Sequence, residues 1–250
     1  MKKYYGVFFS VIILFTFVAV NGYAIASTNK SEFEQQFTYE QYLEQVELGY
    51  IDENVSYQAL VEANKMTFED LVKSIENNPN FSLIYESSHL DLESEEFRAV
   101  VTRLNPGDVF IMNSTASWGL SGHAAMALSN DEIINIAGPS SKTEIVPRST
   151  FNGYYTGRDI ELYRTNNYYW GTAAAEWADQ EYRTNKADYE LSMDAASTRP
   201  TYCSKLVFQA YKYGAGLDSI AIDAVSGLIS PYALKNLIKI DKHGEYDPTI

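Results

Sequence analysis

The segment from Arg199 to Gly214 combines a helical pattern with the only cysteine of the chain, Cys203. Its apolar residues recur at spacings of three and four, which is typical of a helix with one buried face. They occupy positions 203, 206, 207, 210 and 211. Pro200 precedes the pattern and Gly214 follows it, so we predict a helix over 202–213. The fold must cover one face of this helix and place a thiol at its start.

A thiol in the first turn of a helix lies among unpaired backbone N–H groups, at the positive end of the helix dipole. Both features favour the thiolate, which is the reactive form of cysteine. The sequence therefore predicts an activated Cys203 that reacts with iodoacetamide near pH 6. The alternative is that Cys203 fills the helix seam as a small apolar residue.

The first 26 residues have the pattern of a secretory signal peptide. Lys2 and Lys3 precede an apolar run from Val7 to Val20, and Ala24-Ile25-Ala26 is a small-x-small cleavage pattern. The run is short for a membrane span, and an uncleaved anchor is the alternative. We expect cleavage near Ala26 and an exported protein, either secreted or associated with the cell envelope.

The charge and the cysteine count limit the partners of an exported chain. The full sequence has 19 basic and 33 acidic side chains, a net charge of -14. Removal of the two leader lysines leaves 17 basic against 33 acidic side chains, a net charge of -16. Nucleic acid is therefore not an expected partner. One cysteine cannot form an internal disulfide, so the exported chain carries a lone thiol.

Residues 27–90 are predicted to form an N-terminal helical segment. Thr38–Gln41 fits a capping box, which opens a helix that ends near Gly49. A second helix is predicted over 56–64 and a third over 67–76. Three short helices bury little surface by themselves, so we expect them to pack on the main domain or to form a small satellite.

Residues 91–250 are predicted to form the main domain, in which short strands precede the cysteine helix. Strands are predicted at 109–112, 122–128, 132–138, 143–146 and 159–164, and a further short strand at 81–85 precedes the domain. Besides the cysteine helix, helices are predicted at 172–182 and 232–237. This order predicts an α+β fold with an antiparallel sheet.

A cysteine nucleophile needs a nearby base, and the chain has three histidines from which to choose. His89 lies in a polar connector and His243 in a polar tail, whereas His123 lies in an apolar strand. Gly122 and Ser121 leave room beside His123 for a ligand. The alternative is that His123 is a core residue with satisfied hydrogen bonds.

Asn135 is the candidate that orients His123. If the hairpin loop is 129–131, strand alternation places Asn135 diagonally across from His123 on the same face. Its amide oxygen can then fix the imidazole tautomer. A two-residue loop would place Asn135 on the opposite face, and Glu132 is the other candidate.

Several short motifs together resemble the NlpC-type papain-like cysteine hydrolases. They are Gly107-Asp-Val-Phe, Gly122-His-Ala-Ala-Met-Ala-Leu, a polar residue twelve positions after the histidine, Tyr202-Cys-Ser-Lys-Leu-Val and Ser230-Pro-Tyr-Ala-Leu. The cysteine helix follows the histidine strand, which resembles the circularly permuted YiiX-like branch. The resemblance covers about residues 95–240 and implies a small antiparallel sheet packed on the cysteine helix.

The resemblance implies Cys203 as the nucleophile, His123 as the base and Asn135 as the third polar member. It predicts an exported cysteine peptidase or amidase, without a cofactor, that hydrolyses an amide or peptide bond of a cell-envelope substrate through an acyl-enzyme. Permuted relatives include acyltransferases that work on lipids, so a lipid-directed thiol enzyme is one alternative. A non-catalytic envelope-binding protein is the other.

The substrate-binding residues are predicted around the cysteine helix and the histidine strand. They are Tyr202, Ser204, Trp118 and Ser121, and the cleft is also predicted to be lined by Trp170 and the Tyr154-Tyr155 pair. For each aromatic residue the alternative is ordinary packing. No metal site is predicted, because Cys203 and His123 lack a closely spaced third ligand.

Overall fold

The computed structural model describes residues 37–65, 100–112, 122–222 and 227–250. These ranges belong to one compact unit of the chain. None of their helices is both long enough and apolar enough to cross a membrane. Outside the described residues lie the predicted signal peptide, the third N-terminal helix, the strand at 81–85, His89, Trp118 and Ser121.

Helices and strands are largely grouped in this part of the chain, and together with the antiparallel sheet this confirms the predicted α+β class. The α-helices are α1 (Tyr39–Glu47), α2 (Tyr57–Lys65), α3 (Arg148–Tyr155), α4 (Tyr168–Tyr182), α5 (Cys203–Gln209) and α6 (Leu234–Leu237). The strands are β1 (Val109–Met112), β2 (His123–Ala127), β3 (Glu132–Asn135), β4 (Glu144–Pro147), β5 (Ile160–Arg164) and β6 (Asp241–Glu245).

The strands form one antiparallel sheet in the order β4-β3-β2-β1-β5-β6, and apolar side chains cover both of its faces. One face packs against α5, and the other packs against α3. The α5 face carries Val109, Ile111, Ala124, Met126 and Ile134, whereas the α3 face carries Phe110, Met112, Ala125, Ala127 and Ile133. The sheet is therefore the middle layer of the fold.

The β2–β3 hairpin has the predicted three-residue loop. The N–H of Leu128 donates to the carbonyl of Glu132 at 2.9 Å, and Met126 lies opposite Ile134. The backbone pairing between β2 and β3 ends at Met126 and Ile134, before it reaches His123 and Asn135. The two site candidates therefore lie where the paired part of the hairpin has ended.

Helices α1 and α2 contribute side chains to the core that contains the cysteine helix. The predicted capping box is confirmed, because Thr38 N–H donates to Gln41 Oε1 at 2.8 Å and Gln41 N–H donates to Thr38 Oγ1 at 3.3 Å. Ile51, Leu60 and Val61 belong to the same buried cluster as Cys203. The predicted domain boundary near residue 90 lies outside the described residues and stays a prediction.

The predicted end of the cysteine helix at Gly214 is wrong. α5 continues as a π-helical turn, Ala210–Ala215, and the turn stops at Gly216, whose φ is +86°. Gly214 serves packing instead, since a Cβ at that position would lie 2.5 Å from the carbonyl oxygen of Ala173 in α4. In the sequence Gly214 has the pattern of a helix stop, but in the structure it permits the close approach to α4.

Two elements were not predicted, α3 and β6. The β6 residues form the polar stretch Asp-Lys-His-Gly-Glu, which shows no apolar alternation, yet its backbone pairs with β5 at the edge of the sheet. α4 begins at Tyr168, earlier than predicted, because the Asn167 side chain accepts the N–H of Tyr169. β6 and the start of α4 thus depend on backbone and capping hydrogen bonds, which apolar periodicity does not reveal.

The start of β1 touches α4 through main-chain atoms. A Cβ on Gly107 would lie 2.3 Å from the Cα of Gly171, and a Cβ on Gly171 would lie 2.5 Å from the carbonyl oxygen of Pro106. Gly107 also has a φ of +86°, which disfavours other residues. Both glycines are needed for this contact.

Candidate active site

His123 and Asn135 are joined side chain to side chain within the protein interior. Nε2 of His123 lies 2.7 Å from Oδ1 of Asn135, and each residue is only 1% exposed. The predicted pairing of these two residues is confirmed in its geometry. Glu132, the other candidate, instead forms an ion pair with Arg183 at 2.9 Å.

The contact with Asn135 determines which imidazole nitrogen can act as a base. An amide oxygen can only accept, so Nε2 carries the hydrogen and Nδ1 has the lone pair. Nδ1 is buried and has no hydrogen-bond partner within the described part of the chain. Burial lowers the pKa of His123 to about 4, against a smaller rise from the bond to Asn135. The imidazole is therefore neutral at pH 7.

Tyr155 covers the pair formed by His123 and Asn135. Its hydroxyl lies 3.0 Å from His123 Nε2 and donates to Asn135 Oδ1 at 3.3 Å. Its ring stacks on the imidazole, with centroids 5.3 Å apart and an interplanar angle of 18°. The sequence predicted only that the Tyr154-Tyr155 pair lines a cleft, and it gave no sign of this direct contact.

Glu144 supports the pair from the next strand. The Nδ2 of Asn135 donates to Glu144 Oε1 at 3.2 Å, and the two residues are register partners between β3 and β4. The sequence analysis missed Glu144. Extending the pairing from β3 to β4 would have located it, because facing residues of adjacent strands approach closely.

Cys203 lies at the start of α5, next to the strand that carries His123. The backbone N–H of Ala124, the residue after His123, interacts with the Cys203 sulfur. The sulfur also lies 3.9 Å from the hydroxyl of Ser204. Burial raises the pKa of Tyr155, the hydrogen bond to Asn135 lowers it, and a thiolate at Cys203 would raise it further. Cys203 belongs to the core cluster on the α5 face, whereas Tyr155, which contacts His123, belongs to the cluster on the α3 face. Among the described residues, no hydrogen bond joins the thiol and the imidazole.

The predicted thiolate at Cys203 is not favoured by its surroundings. Burial raises the pKa of the thiol, and this outweighs the lowering by the N–H of Ala124, the Ser204 hydroxyl and the N–H groups of Ser204 and Cys203. Cys203 is 3% exposed. The helix start does supply stabilising N–H groups, but desolvation penalises the charged form more strongly. If a neutral thiol is to attack, its proton must be transferred as the sulfur forms the new bond.

Two of the predicted substrate-binding residues are described, and both are fully buried. The Tyr202 hydroxyl accepts the N–H of Ile229 at 2.9 Å, and the Ser204 hydroxyl donates to the carbonyl of Ile229 at 2.5 Å. Their hydroxyls hold the residue 229 loop against α5. Their role in binding stays a prediction.

The space expected beside Gly122 is occupied. A Cβ on Gly122 would lie 2.8 Å from the hydroxyl of Tyr232 and 3.0 Å from the carbonyl oxygen of Met112. The absent side chain therefore makes room for Tyr232 rather than for a ligand. That part of the prediction is wrong.

An antiparallel sheet, a cysteine-bearing helix and a buried His–Asn pair define an α+β protein with a candidate thiol site. The chain matches the family described as "Lipoprotein N-acylation protein LnsA-like" over residues 71–243. Because the match spans more than half of the chain, this protein belongs to that family. It is also 34% identical over 141 residues to an uncharacterized 30.3 kDa protein of Bacillus thuringiensis, with 52% of each chain covered.

The family membership confirms the predicted relationship to YiiX-like, papain-like proteins at a coarse level. The chain spans about half the length of the Bacillus thuringiensis relative. No solved structure matches the chain. The NlpC-type permuted architecture therefore stays a prediction.

Proposed function

We propose that this protein is an acyltransferase that carries an acyl chain on Cys203 and passes it to an amine of a lipoprotein. The family description names lipoprotein N-acylation, which supports acyl transfer better than peptide hydrolysis. Two observations support the proposal: the helix that carries the buried Cys203 packs against the strand of His123, and Nδ1 of His123 has no hydrogen-bond partner among the described residues while Asn135 accepts from Nε2. The amidase prediction thus gives way to its lipid-directed alternative.

The proposed reaction has two half-reactions that share one thioester. In the first, His123 accepts the thiol proton, the sulfur attacks an ester carbonyl, and the alcohol leaves with that proton. In the second, an amine attacks the thioester, an amide forms, and the thiol is restored. The donor is then an ester-linked acyl lipid, and the acceptor is a lipoprotein with a free amine.

The test combines a phospholipid that carries one isotope-labelled acyl chain with a synthetic diacylated lipopeptide that has a free terminal amine. Mass spectrometry should find the labelled chain as an amide on the lipopeptide and, at short times, as a thioester on Cys203. The Cys203→Ser variant should form neither product. Free fatty acid with no amide would support a hydrolase, and an unchanged mixture would support a binding protein.

We also propose that the chain is exported through the leader predicted at residues 1–26. N-terminal sequencing of the protein produced in a bacterial host should then begin just after Ala26. A protein that retains Met1 and fractionates with membranes would support the uncleaved anchor instead.

A further inference from the structure

The hydroxyl of Tyr189 is buried and unpaired. Tyr189 is 4% exposed, and its hydroxyl has no hydrogen-bond partner within the described residues. Other buried phenols differ in this respect: the Tyr211 hydroxyl donates to the carbonyl of Gly107 at 2.7 Å, and the Tyr202 hydroxyl accepts the N–H of Ile229 at 2.9 Å. An unpaired buried hydroxyl lowers stability, so its retention calls for another explanation.

Backbone pairing places Tyr189 beside the start of the cysteine helix. Tyr189 forms a parallel bridge with Thr201, two residues before Cys203. The N–H of Tyr189 donates to the carbonyl of Ser141 at 3.0 Å, so the segment is held from both sides. Burial raises the pKa of Tyr189 well above its usual value, and a thiolate at Cys203 would raise it further. The hydroxyl therefore stays protonated and remains a donor.

We propose that Tyr189 donates a hydrogen bond to the carbonyl oxygen of the acyl substrate while Cys203 attacks it. Tyr189 is then a catalytic residue that stabilises the oxyanion. The inference rests on the proposed acyl transfer and adds a residue to it. Tyr155 is less suited, because its hydroxyl already contacts both His123 and Asn135.

The step balances without any oxidant or reductant. The thiol proton of Cys203 moves to Nδ1 of His123, and the sulfur bonds to the carbonyl carbon. The π electrons of the carbonyl move to its oxygen, which accepts from Tyr189. When the carbonyl re-forms, the bond to the leaving alcohol breaks and the alcohol takes the proton from His123.

The test is the rate at which p-nitrophenyl octanoate acylates the full chain in a single turnover, followed by release of nitrophenol and by the mass of the Cys203 adduct. Tyr189→Phe removes only the hydroxyl. Acylation should slow by about 10²- to 10³-fold, the usual effect of losing one oxyanion donor. Alkylation of Cys203 by iodoacetamide should stay within about twofold, because it forms no oxyanion.

Tyr211→Phe is the matched control, since it removes from a buried tyrosine a hydroxyl that is bonded to the carbonyl of Gly107. It should lower the melting temperature without a selective loss of acylation. Tyr189→Phe acylating at the wild-type rate would overturn the inference. So would equal losses of acylation and alkylation, which indicate a structural role. A wild-type chain that forms no Cys203 adduct would overturn the proposed function as well.

Discussion

Asn135 accepts a hydrogen bond from His123 across two strands whose recorded pairing has already ended. The side-chain contact of 2.7 Å thus connects β2 to β3 at the point where backbone pairing no longer does. Because Asn135 also donates to Glu144, the imidazole is held through a chain of polar contacts that reaches β4.

Replacing Asn135 should impair acyl transfer less than replacing the base. His123→Ala should slow acylation of Cys203 by roughly 10²- to 10⁴-fold, the usual contribution of a positioned base. Asn135→Ala leaves the base present but unoriented, so its loss should be smaller. Asn135→Asp should raise the pKa of His123, which moves the loss of activity in acid to a higher pH. Single-turnover rates between pH 4 and 8 measure all three, and equal rates in wild type and both Asn135 variants would contradict this role.

Tyr155→Phe should reduce the acylation rate by roughly 2- to 10-fold, because it removes one hydroxyl while the ring stays stacked on His123. The neighbouring Tyr154 offers a control, since its side chain is 55% exposed. Tyr154→Phe should leave the rate unchanged. A larger effect at Tyr154 than at Tyr155 would contradict the assignment of this contact to Tyr155.

The stability of the protein should fall in mild acid because of His123. Its pKa is lowered to about 4 in the folded state from 6.5, so below pH 6.5 the unfolded chain binds a proton that the folded chain does not. Stability is therefore lost as the pH falls from 6.5 toward 4, by about 3 kcal/mol at most. The free energy of unfolding, measured in urea, should differ less between pH 7 and pH 4.5 for His123→Gln than for wild type. Burial and the nearby Arg164 also lower the pKa of His243, but His243 is exposed, so His243→Gln should keep more of the difference than His123→Gln. Equal differences in all three proteins would contradict the assignment.

Leu60→Ala in α2 should destabilise the whole compact unit by about 2–5 kcal/mol, the usual range for a buried leucine. Leu60 is 0% exposed and shares the core with Cys203. Leu43→Ala in α1 is the control, because Leu43 is 48% exposed. Thermal unfolding should show one transition that shifts for Leu60→Ala. An unshifted main transition would mean that the N-terminal helices form a separate satellite.

The sequence located the parts of the site that depend on local rules. The three-residue loop and the period of two were enough to place Asn135 near His123, and the capping box at Thr38 defined the start of α1. The burial of the Cys203 thiol was not predictable from such local rules. The direction of the Cys203 pKa depends on how completely the rest of the chain covers the thiol, and the first turn of a helix does not reveal that.

Contacts between elements distant in the sequence account for the other differences. Tyr155 reaches His123 from α3, a helix that was not predicted, and Glu144 reaches it indirectly, through Asn135, from an adjacent strand. Gly214 resembled a helix stop but permits the approach of Ala173. In each case the partner is set by tertiary packing, which overrides the local pattern.

The contact between Gly107 and Gly171 limits how this protein can change over evolutionary time. A methyl group on either residue would collide with main-chain atoms, which cannot move aside as a flexible side chain can. A first substitution at one position therefore cannot be compensated by a second at the other, because both are already the smallest residue. Descendants of this chain that keep the fold should retain both glycines together.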